Sequence, residues 1–480
     1  GLLPPLAAAM AAAGDGFRVC IRLRPFNKRE LRDGAKRIIE LNGQQCSIRD
    51  PEVGRFQSFN FDFCFQSHDP HQPQFADQAY VFQKIGASLL DNAFTGYHST
   101  LFAYGQTGSG KSFTVVGSPS DPGLIPQACE EIFRRVREPP GGVTWTAEYK
   151  VEVSMIEIYN ERVRDLLNPN PKVHSSQGLK VRDHPTTGPY VEGLSKLAVS
   201  SEHDIMLLMQ NGNAMRTIAA TNMNRTSSRA HTVLQISITQ LRNEPGSGVN
   251  TEIVSNVNLV DLAGSERLGR TGAQAGDTRF QEGININQSL STLGACIKAL
   301  SDSSRGGGKK KSYVPYRDSI LTQLLRDALG GNSKTTMIAA LSPADIDYHE
   351  TLSTLKYAHR AKDIKNDAKI NKDPNSNLVA RLQDEIATLR AQMRDVAAGP
   401  QATGRALTPR SAAAEQEKDE EAERTRSEVD RLRSMLEESQ NALNEKRKAE
   451  ASWEEKLAAS QQAQMEQERV LLAHGCAVGG

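Results

Sequence analysis

The chain has 480 residues, enough for one large domain with an extension and far beyond the size at which a core is hard to build. Lys and Arg number 58 against 57 Asp and Glu, a net charge of +1, so the molecule is no polycation, no nucleic-acid partner is expected, and any basic binding face is local. Six cysteines (Cys20, Cys46, Cys64, Cys129, Cys296, Cys476) are scattered without a Cys-x-x-Cys pair, which argues against a disulfide framework or a zinc site and suits a reducing cytosol.

Residues 1–14 read as a disordered N-terminus: the apolar start contains Pro4 and Pro5 and lacks a basic leader, so it makes a poor signal peptide. No later segment is apolar for long enough to span a bilayer, so no direct membrane segment is expected. Phe17 to Leu23 alternates as a strand ending at Arg24-Pro25, and Gln74 to Phe94 is a helix candidate. Thr100 to Tyr104 reads as a buried strand. Tyr149 to Tyr159, His231 to Leu241, Thr251 to Val260 and Thr335 to Leu341 follow as strands. Gly283 to Leu300 and Tyr348 to Ile364 have helical apolar spacing. The interleaving predicts an α/β fold: a central, mostly β sheet flanked by helices on both faces. His231 reads as a structural histidine at a strand start, not a catalytic base. Glu161 and Asp165 read as a solvated helix start and not as a second acid pair.

Between the Thr100–Tyr104 strand and a helix reaching about Val116 lies Gly105-Gln106-Thr107-Gly108-Ser109-Gly110-Lys111-Ser112, which fits the phosphate-loop pattern of Gly, four residues, Gly-Lys-Ser/Thr. Glycines let backbone N–H groups curl around phosphate oxygens, and the helix start aims its positive end at them. Lys111 is placed to reach the β- and γ-phosphates and the Ser112 hydroxyl to ligate Mg²⁺. Two further stretches suit phosphate sensing. Asp261, at the end of an apolar strand, stands where a Mg²⁺-water carboxylate is needed, and Gly264 is free to swing its N–H toward a γ-phosphate. The stretch from Asn224 to His231 offers the hydroxyls of Ser227 and Ser228 beside Arg229, which suits a loop that orders around Mg²⁺.

These blocks resemble the kinesin motor domain over roughly residues 15–370. The resemblance rests on Arg22-Leu23-Arg24-Pro25, the phosphate loop with Phe102-Ala103-Tyr104 before it, Glu157-Ile158-Tyr159-Asn160-Glu161, Ser227-Ser228-Arg229, Asp261-Leu262-Ala263-Gly264-Ser265-Glu266, the run Tyr313 to Ser319 and the run Leu352 to Ala358. Ala339 to Ile346 and the basic insert near Lys309 look most like the kinesin-3 branch, whose motors stand at the N-terminus. The resemblance implies ATP with Mg²⁺ as ligands. It implies that Arg22, Arg24 and Pro25 frame the adenine with Phe113 on its other face. Ser228 would join Ser112 around Mg²⁺, with Asp261 acting through water. Arg229 and Glu266 would form the salt bridge that closes the switches. Glu266 would accept the proton of the attacking water, Ser227 would help position that water, and Gly264 would sense the γ-phosphate. Ala230 departs from the family, which usually has Ser there; with Ser227 and Ser228 present, the Mg²⁺ site and hydrolysis are expected to survive.

The resemblance also divides the chain: motor domain 15–363, neck linker 364–375, neck helix or coil 376–396, linker 397–414, coiled-coil-like helix 415–472 and a disordered end 473–480. Leu378, Leu382, Ile386, Leu389, Met393 and Val396 make a short heptad-like seam. Val429, Leu432, Leu436, Leu443, Trp453 and Leu457 make a longer one interrupted by Ser439, Lys446 and Glu450. A solvated single helix fits either stretch as an alternative. Homodimer contacts through neck and coil, and cargo or an adaptor held by a tail beyond residue 480, are the implied further partners. Between Arg305 and Lys334 stand seven basic and two acidic residues, with Lys309, Lys310 and Lys311 behind three glycines and Arg317 further on. The resemblance puts this segment against the acidic surface of microtubules, in the cytoplasm and on the cytoskeleton. The implied activity is a microtubule-stimulated ATPase that moves toward the plus end. Two alternatives stay open: a weakly hydrolysing, non-motile microtubule-binding or crosslinking protein, and a filament-end depolymerase.

Overall fold

Six consecutive buried residues, Ser99–Tyr104, form the middle strand of the molecule, and their side chains divide between two apolar layers. Leu101 and Ala103 enter one layer, Phe102 and Tyr104 the other, the period of two that a strand covered on both faces requires. The structure, a computed structural model, describes residues 17–138, 146–168, 178–184, 188–221, 227–243, 250–266, 278–305, 313–372 and 453–473.

In chain order the strands are β1 (Arg18–Leu23), β2 (Ile39–Asn42), β3 (Gln45–Arg49), β4 (Phe56–Asn60), β5 (Phe63–Gln66), β6 (Ser99–Tyr104), β7 (Gly117–Ser118), β8 (Asp121–Pro122), β9 (Thr146–Ile158), β10 (Val163–Asp165), β11 (Val181–His184), β12 (Gly188–Val191), β13 (Leu197–Val199), β14 (His231–Asn243), β15 (Asn250–Asp261) and β16 (Lys334–Leu341). The main sheet runs β10-β9-β14-β15-β6-β16-β1-β5, with β13 beside β9. From β15 to β5 every pairing is parallel, whereas β10, β9, β14 and β15 pair antiparallel. β2–β4 form a separate small sheet, and β11–β12 a hairpin.

The helices are α1 (Lys28–Arg32), α2 (Gln78–Val81), α3 (Ala87–Thr95), α4 (Lys111–Val115), α5 (Leu124–Arg137), α6 (Glu202–Thr221), α7 (Thr278–Arg305), α8 (Ile320–Leu324), α9 (Tyr348–Ala361) and α10 (Trp453–Ala473). Leu89 and Ala93 of α3, Ile132 and Phe133 of α5 and Leu208 and Met209 of α6 cover one face of the sheet. Leu293 and Ile297 of α7, Leu321 of α8 and Leu355 and Ala358 of α9 cover the other. This is the expected layered α/β architecture, with element ends within a few residues of the sequence reading. The Gln74–Phe94 candidate is divided: α2 and α3 are joined by a π-helical turn, Phe82–Gly86.

One expectation is overturned. Glu161 and Asp165 do not open a solvated helix. Asn160 and Glu161 both take φ 54°, turning β9 directly into β10. Asp165 is buried and accepts the backbone N–H groups of Leu167 and Ser195 at 2.9 and 2.8 Å. The Glu161 carboxylate accepts from Ser319 Oγ and Ile320 N at 2.9 and 2.7 Å, capping the start of α8. Each acid also serves a backbone donor far away in sequence, Ser195 N for Asp165 and Ile320 N for Glu161, which a local pattern does not reveal.

After α9 the chain runs back along the sheet. Asn366 is buried: its Nδ2 donates to the carbonyls of Ala328 and Ser333 and to Thr335 Oγ1, and its Oδ1 accepts from Gly330 N. Asn371 N donates to Gly96 O at 2.9 Å, and Val254 N to Asn371 O at 3.1 Å. Residues 364–372 of the expected linker thus lie against the domain. The 376–396 seam, the 397–414 linker and the 473–480 end, apart from Ala473, lie outside the described residues, as does the 415–472 helix up to 452. The described part, α10, packs on β13 and α6 of the same chain. Gln467 and Leu471 are buried there, Lys456 Nζ lies 3.3 Å from Glu152 Oε1, and Gln467 Nε2 donates to Leu166 O at 2.9 Å. Among the described residues no helix is long and apolar enough to cross a membrane.

Candidate functional site

β6 delivers the phosphate loop at the carboxyl end of the parallel part of the sheet, between β15 and β16, where α/β folds hold ligands. The loop needs glycine. A Cβ on Gly105 would collide with the Ala340 carbonyl, and Gly110 starts α4 from a left-handed φ of 100°. Lys111 is buried, its Nζ donating to the carbonyls of Gly105 and Gln106 at 2.8 and 3.0 Å, and burial lowers its pKa. Its ammonium is thereby held inside the loop's curve, facing the place where phosphate charge would be met. Ser109 Oγ and Gln106 Oε1 are buried in the same loop without a hydrogen-bond partner.

Ser112 Oγ donates to Asp261 Oδ2 at 2.5 Å, joining α4 to the end of β15. Asp261 Oδ1 is buried with no hydrogen-bond partner, and desolvation raises its pKa. A hydroxyl and a carboxylate this close, with the carboxylate's other oxygen unsatisfied, fit a hard divalent cation that keeps most of its waters and shares phosphate oxygens. Among the described residues no group of three or more His, Cys, Asp or Glu side chains is placed to hold a metal ion, and Mg²⁺ bound with a nucleotide needs none.

The two candidate switches meet over this loop. Ser227–Arg229 form one 3-10 turn, and Ser228 O accepts Gly264 N at 2.9 Å. Ser265 N donates to Gly105 O at 3.1 Å. Glu266 Oε2 accepts Thr107 N at 2.8 Å, and Oε1 accepts the Thr107 hydroxyl. A Cβ on Gly264 would press on Thr107 Oγ1 and the Glu266 carboxylate and displace the contact those two side chains make. Ala230, the family departure, is buried.

The expected adenine frame is refined by its hydrogen bonds. Arg22 is only 4% exposed and uses Nε on Ser67 Oγ and Nη1 on Gln78 Oε1 and Thr114 Oγ1; burial pushes its pKa down to about 10. Its guanidinium lies 5.4 Å from the centre of the Phe113 ring, so it supports that ring from the interior. Arg24 and Pro25 stand beside the loop, and Arg24 Nε donates to Gly108 O at 2.7 Å. Glu30, not singled out in the sequence, holds Arg24 in a two-pronged pair at 2.7 and 2.5 Å and accepts Ser342 Oγ. The Asn27-x-x-Glu30 capping box after Pro25 was the available signal. Arg317 is exposed, and it and Arg326 both pair with Asp183, at 3.2 and 2.9 Å. Lys309, Lys310 and Lys311 lie outside the described residues.

The kinesin motor domain family model matches residues 22–364. Kinesin-like protein KIF1A of Rattus norvegicus is 50% identical over 388 residues, covering 79% of this chain and 22% of its own length. Kinesin-like protein unc-104 of Caenorhabditis elegans is 48% identical over 386 residues, covering 79% of this chain and 24% of its own. The chain therefore spans about a fifth to a quarter of the length of these relatives. Among solved structures, a KIF14 dimer with AMP-PNP in complex with a microtubule superposes with a TM-score of 0.70 at 44% identity, covering 76% of this chain and 99% of that one. A fast kinesin superposes at 0.65 and 40% identity, covering 75% and 95%.

Proposed function

The chain belongs to the kinesin motor family, in its kinesin-3 branch, and from that premise we propose that it is an ATP-driven microtubule motor, a microtubule-stimulated ATPase moving toward the plus end. The observation that carries the reading is the set of contacts around the phosphate loop: Ser112 to Asp261, Ser265 to Gly105 and Glu266 to Thr107, with Gly264 bonded on to Ser228. The Asp261–Glu266 stretch bonds the loop that grips phosphate, and the Ser227–Arg229 turn bonds that stretch through Gly264, as a γ-phosphate sensor requires.

Gly105 to Ser112 wrap the phosphates, Lys111 neutralises the β/γ oxygens, and Arg24, Pro25 and Phe113, braced by Arg22, hold the base by stacking and shape. Ser112 and Ser228 would hold Mg²⁺, with Asp261 reaching it through water. When bound, the ion neutralises charge between the β- and γ-phosphates. Gly264 N–H exchanges Ser228 O for a γ-phosphate oxygen. Glu266, pairing with Arg229, takes the proton of the attacking water, which Ser227 positions. Loss of the γ-phosphate frees the switches, α7 shifts, and residues 364–375 dock or release. Lys309, Lys310, Lys311 and Arg317 face the acidic filament. A homodimer through the coil segments and cargo held by a further tail belong to the same reading.

Single labelled molecules on polarity-marked microtubules with ATP test it. Directed plus-end runs with filament-stimulated turnover are expected; static binding with negligible turnover would favour the crosslinker.

A further inference from the structure

His231 opens β14 one residue beyond the Ser227–Arg229 turn and is 2% exposed. Its Nδ1 lies 3.0 Å from Ala263 N, and its Nε2 lies 2.8 Å from Ser289 Oγ on α7, 58 residues away. A backbone N–H can only donate, so Nδ1 is the acceptor and the ring proton resides on Nε2, which donates to the serine hydroxyl. The ring is therefore neutral and in one tautomer. Burial, with the positive charge of Lys111 adding to it, moves its pKa down to about 3, in keeping with this. With its only lone pair engaged, it has no capacity to act as a base.

What the ring joins is informative. Ala263 precedes Gly264, whose N–H is bonded to Ser228 O, and Ser289 lies beside Leu290 and Leu293, which seat α7 on the sheet. A rigid planar group with both nitrogens engaged thus spans from the loop next to the phosphate site to the long helix on that face. A satisfied core histidine needs two partners but not two partners on elements that must move together.

We propose that His231 is a positioning residue: its ring ties the Ala263–Gly264 peptide to Ser289, so that a displacement of the phosphate-sensing loop is passed to α7. The bridge rests on its own geometry; its consequence for filament stimulation rests on the motor reading above. Such a link gives a testable physical basis for coupling, which mere intermediacy does not.

The test uses the full chain with Ser289→Ala, His231→Asn and His231→Gln. Asn offers an oxygen near the Nδ1 position, and Gln offers an N–H near the Nε2 position, so each retains one half of the bridge. Basal ATPase, nucleotide affinity, melting temperature and the ratio of microtubule-stimulated to basal rate are measured. Ser289→Ala is expected to keep basal rate and nucleotide affinity within about threefold, yet lower the stimulation ratio about fivefold or more, the low end of ordinary coupling. His231→Asn combined with Ser289→Ala should lower it no further than His231→Asn alone, since both break one link. A stimulation ratio within twofold of the parent in Ser289→Ala overturns the inference while leaving the motor reading intact. So does an equal loss of basal and stimulated rates. A parent chain that microtubules do not stimulate overturns the motor reading and with it the filament consequence. Nitrogen NMR of the histidine-labelled protein at pH 7 then decides the bridge itself: a protonated Nε2 with bare Nδ1 supports it, and the reverse tautomer or a charged ring refutes it. Should the His231 variants fail to fold, Ser289→Ala and the NMR experiment remain decisive.

Discussion

Ser112 and Asp261, 149 residues apart, are joined by a hydrogen bond of 2.5 Å, which makes the start of α4 and the end of β15 one unit. The bond also ties the phosphate loop to the Asp261–Glu266 stretch. β15 and β6 are parallel neighbours, with Asp261 registered against Ala103, so the two loops leave the same edge side by side. The strand pairing sets the distance, and the side chains finish the site.

Lys111→Ala removes the one ammonium buried within the loop's curve among the described residues. A charged hydrogen bond contributes about 1.5–3 kcal/mol, so nucleotide affinity should fall at least about tenfold, with hydrolysis lost alongside. Calorimetric titration with ADP and ATP measures it. Near-parental affinity and turnover would remove the phosphate role from this lysine.

Glu266→Ala should bind nucleotide nearly as the parent does while turning over ~10²-fold or more slowly, the usual scale for an acid–base group. Single-turnover kinetics separates the two effects. A loss below about threefold would leave Glu266 as a simple partner of Thr107, the contact it makes in this structure.

The site was legible in the sequence wherever its parts are contiguous. Gly105 to Ser112 and Asp261 to Glu266 carry their spacing on the chain, each directly behind a stretch that reads as a strand. Contacts between distant residues left no local trace. Glu30 holds Arg24 but is closed from the far side by Ser342, 312 residues on. Glu161 looked like a helix start because Asn160 and Glu161 adopt a backbone angle that residue type alone does not announce. Arg22 carried the right motif, yet its guanidinium turned inward because Ser67, Gln78 and Thr114, from three other segments, satisfy it there. The interrupted apolar stripe at Trp453 and Leu457 reads as a weak coil; in the fold it lies on α10, which packs against α6 and β13.

Lys309, Lys310 and Lys311 all replaced by Ala should leave basal ATPase and folding nearly unchanged, because surface substitutions usually stay within about 0.5 kcal/mol. The microtubule concentration for half-maximal turnover should rise and its salt dependence flatten, since the attraction acts over a Debye length of roughly 8 Å at physiological salt. An unchanged half-maximal concentration at low and high salt would mark the cluster as a solvated loop.

Glu30→Gln tests the Arg24 clamp through pH. Burial raises the Glu30 carboxyl's pKa, but hydrogen bonds from Arg24 and from the Asn27 backbone, with the Arg24 charge, outweigh it and hold it below the ordinary value. A carboxyl with a lowered folded pKa stabilises above its unfolded value, about 4.3, and that contribution fades as pH falls through the folded value. The variant should therefore melt lower than the parent by a constant margin from pH 8 to about 5, narrowing below about 4. A margin that stays the same in acid would assign the effect to shape and not to charge.

Asn366→Ala addresses how the segment after Ile364 is held against the domain. The Asn366 amide group is buried between Gly330 N on one side and Ala328 O, Ser333 O and Thr335 Oγ1 on the other. Removing it leaves buried backbone groups unpaired, at about 1–3 kcal/mol for each group that water does not reach. The lowest-cost response is for the segment after Ile364 to lift away and let water in. Hydrogen exchange should then accelerate about tenfold or more at Asn371, whose N–H reaches Gly96 O, and at Val254, whose N–H reaches Asn371 O. Amides of β6 and of the phosphate loop should keep their protection, and nucleotide affinity should stay close to the parent's, because no Asn366 contact touches that loop. Unchanged exchange at Asn371 and Val254 would show that Ile370 and Asn371 hold the segment without the Asn366 anchor. Acceleration extending into β6 would show instead that Asn366 supports the sheet and not the linker alone.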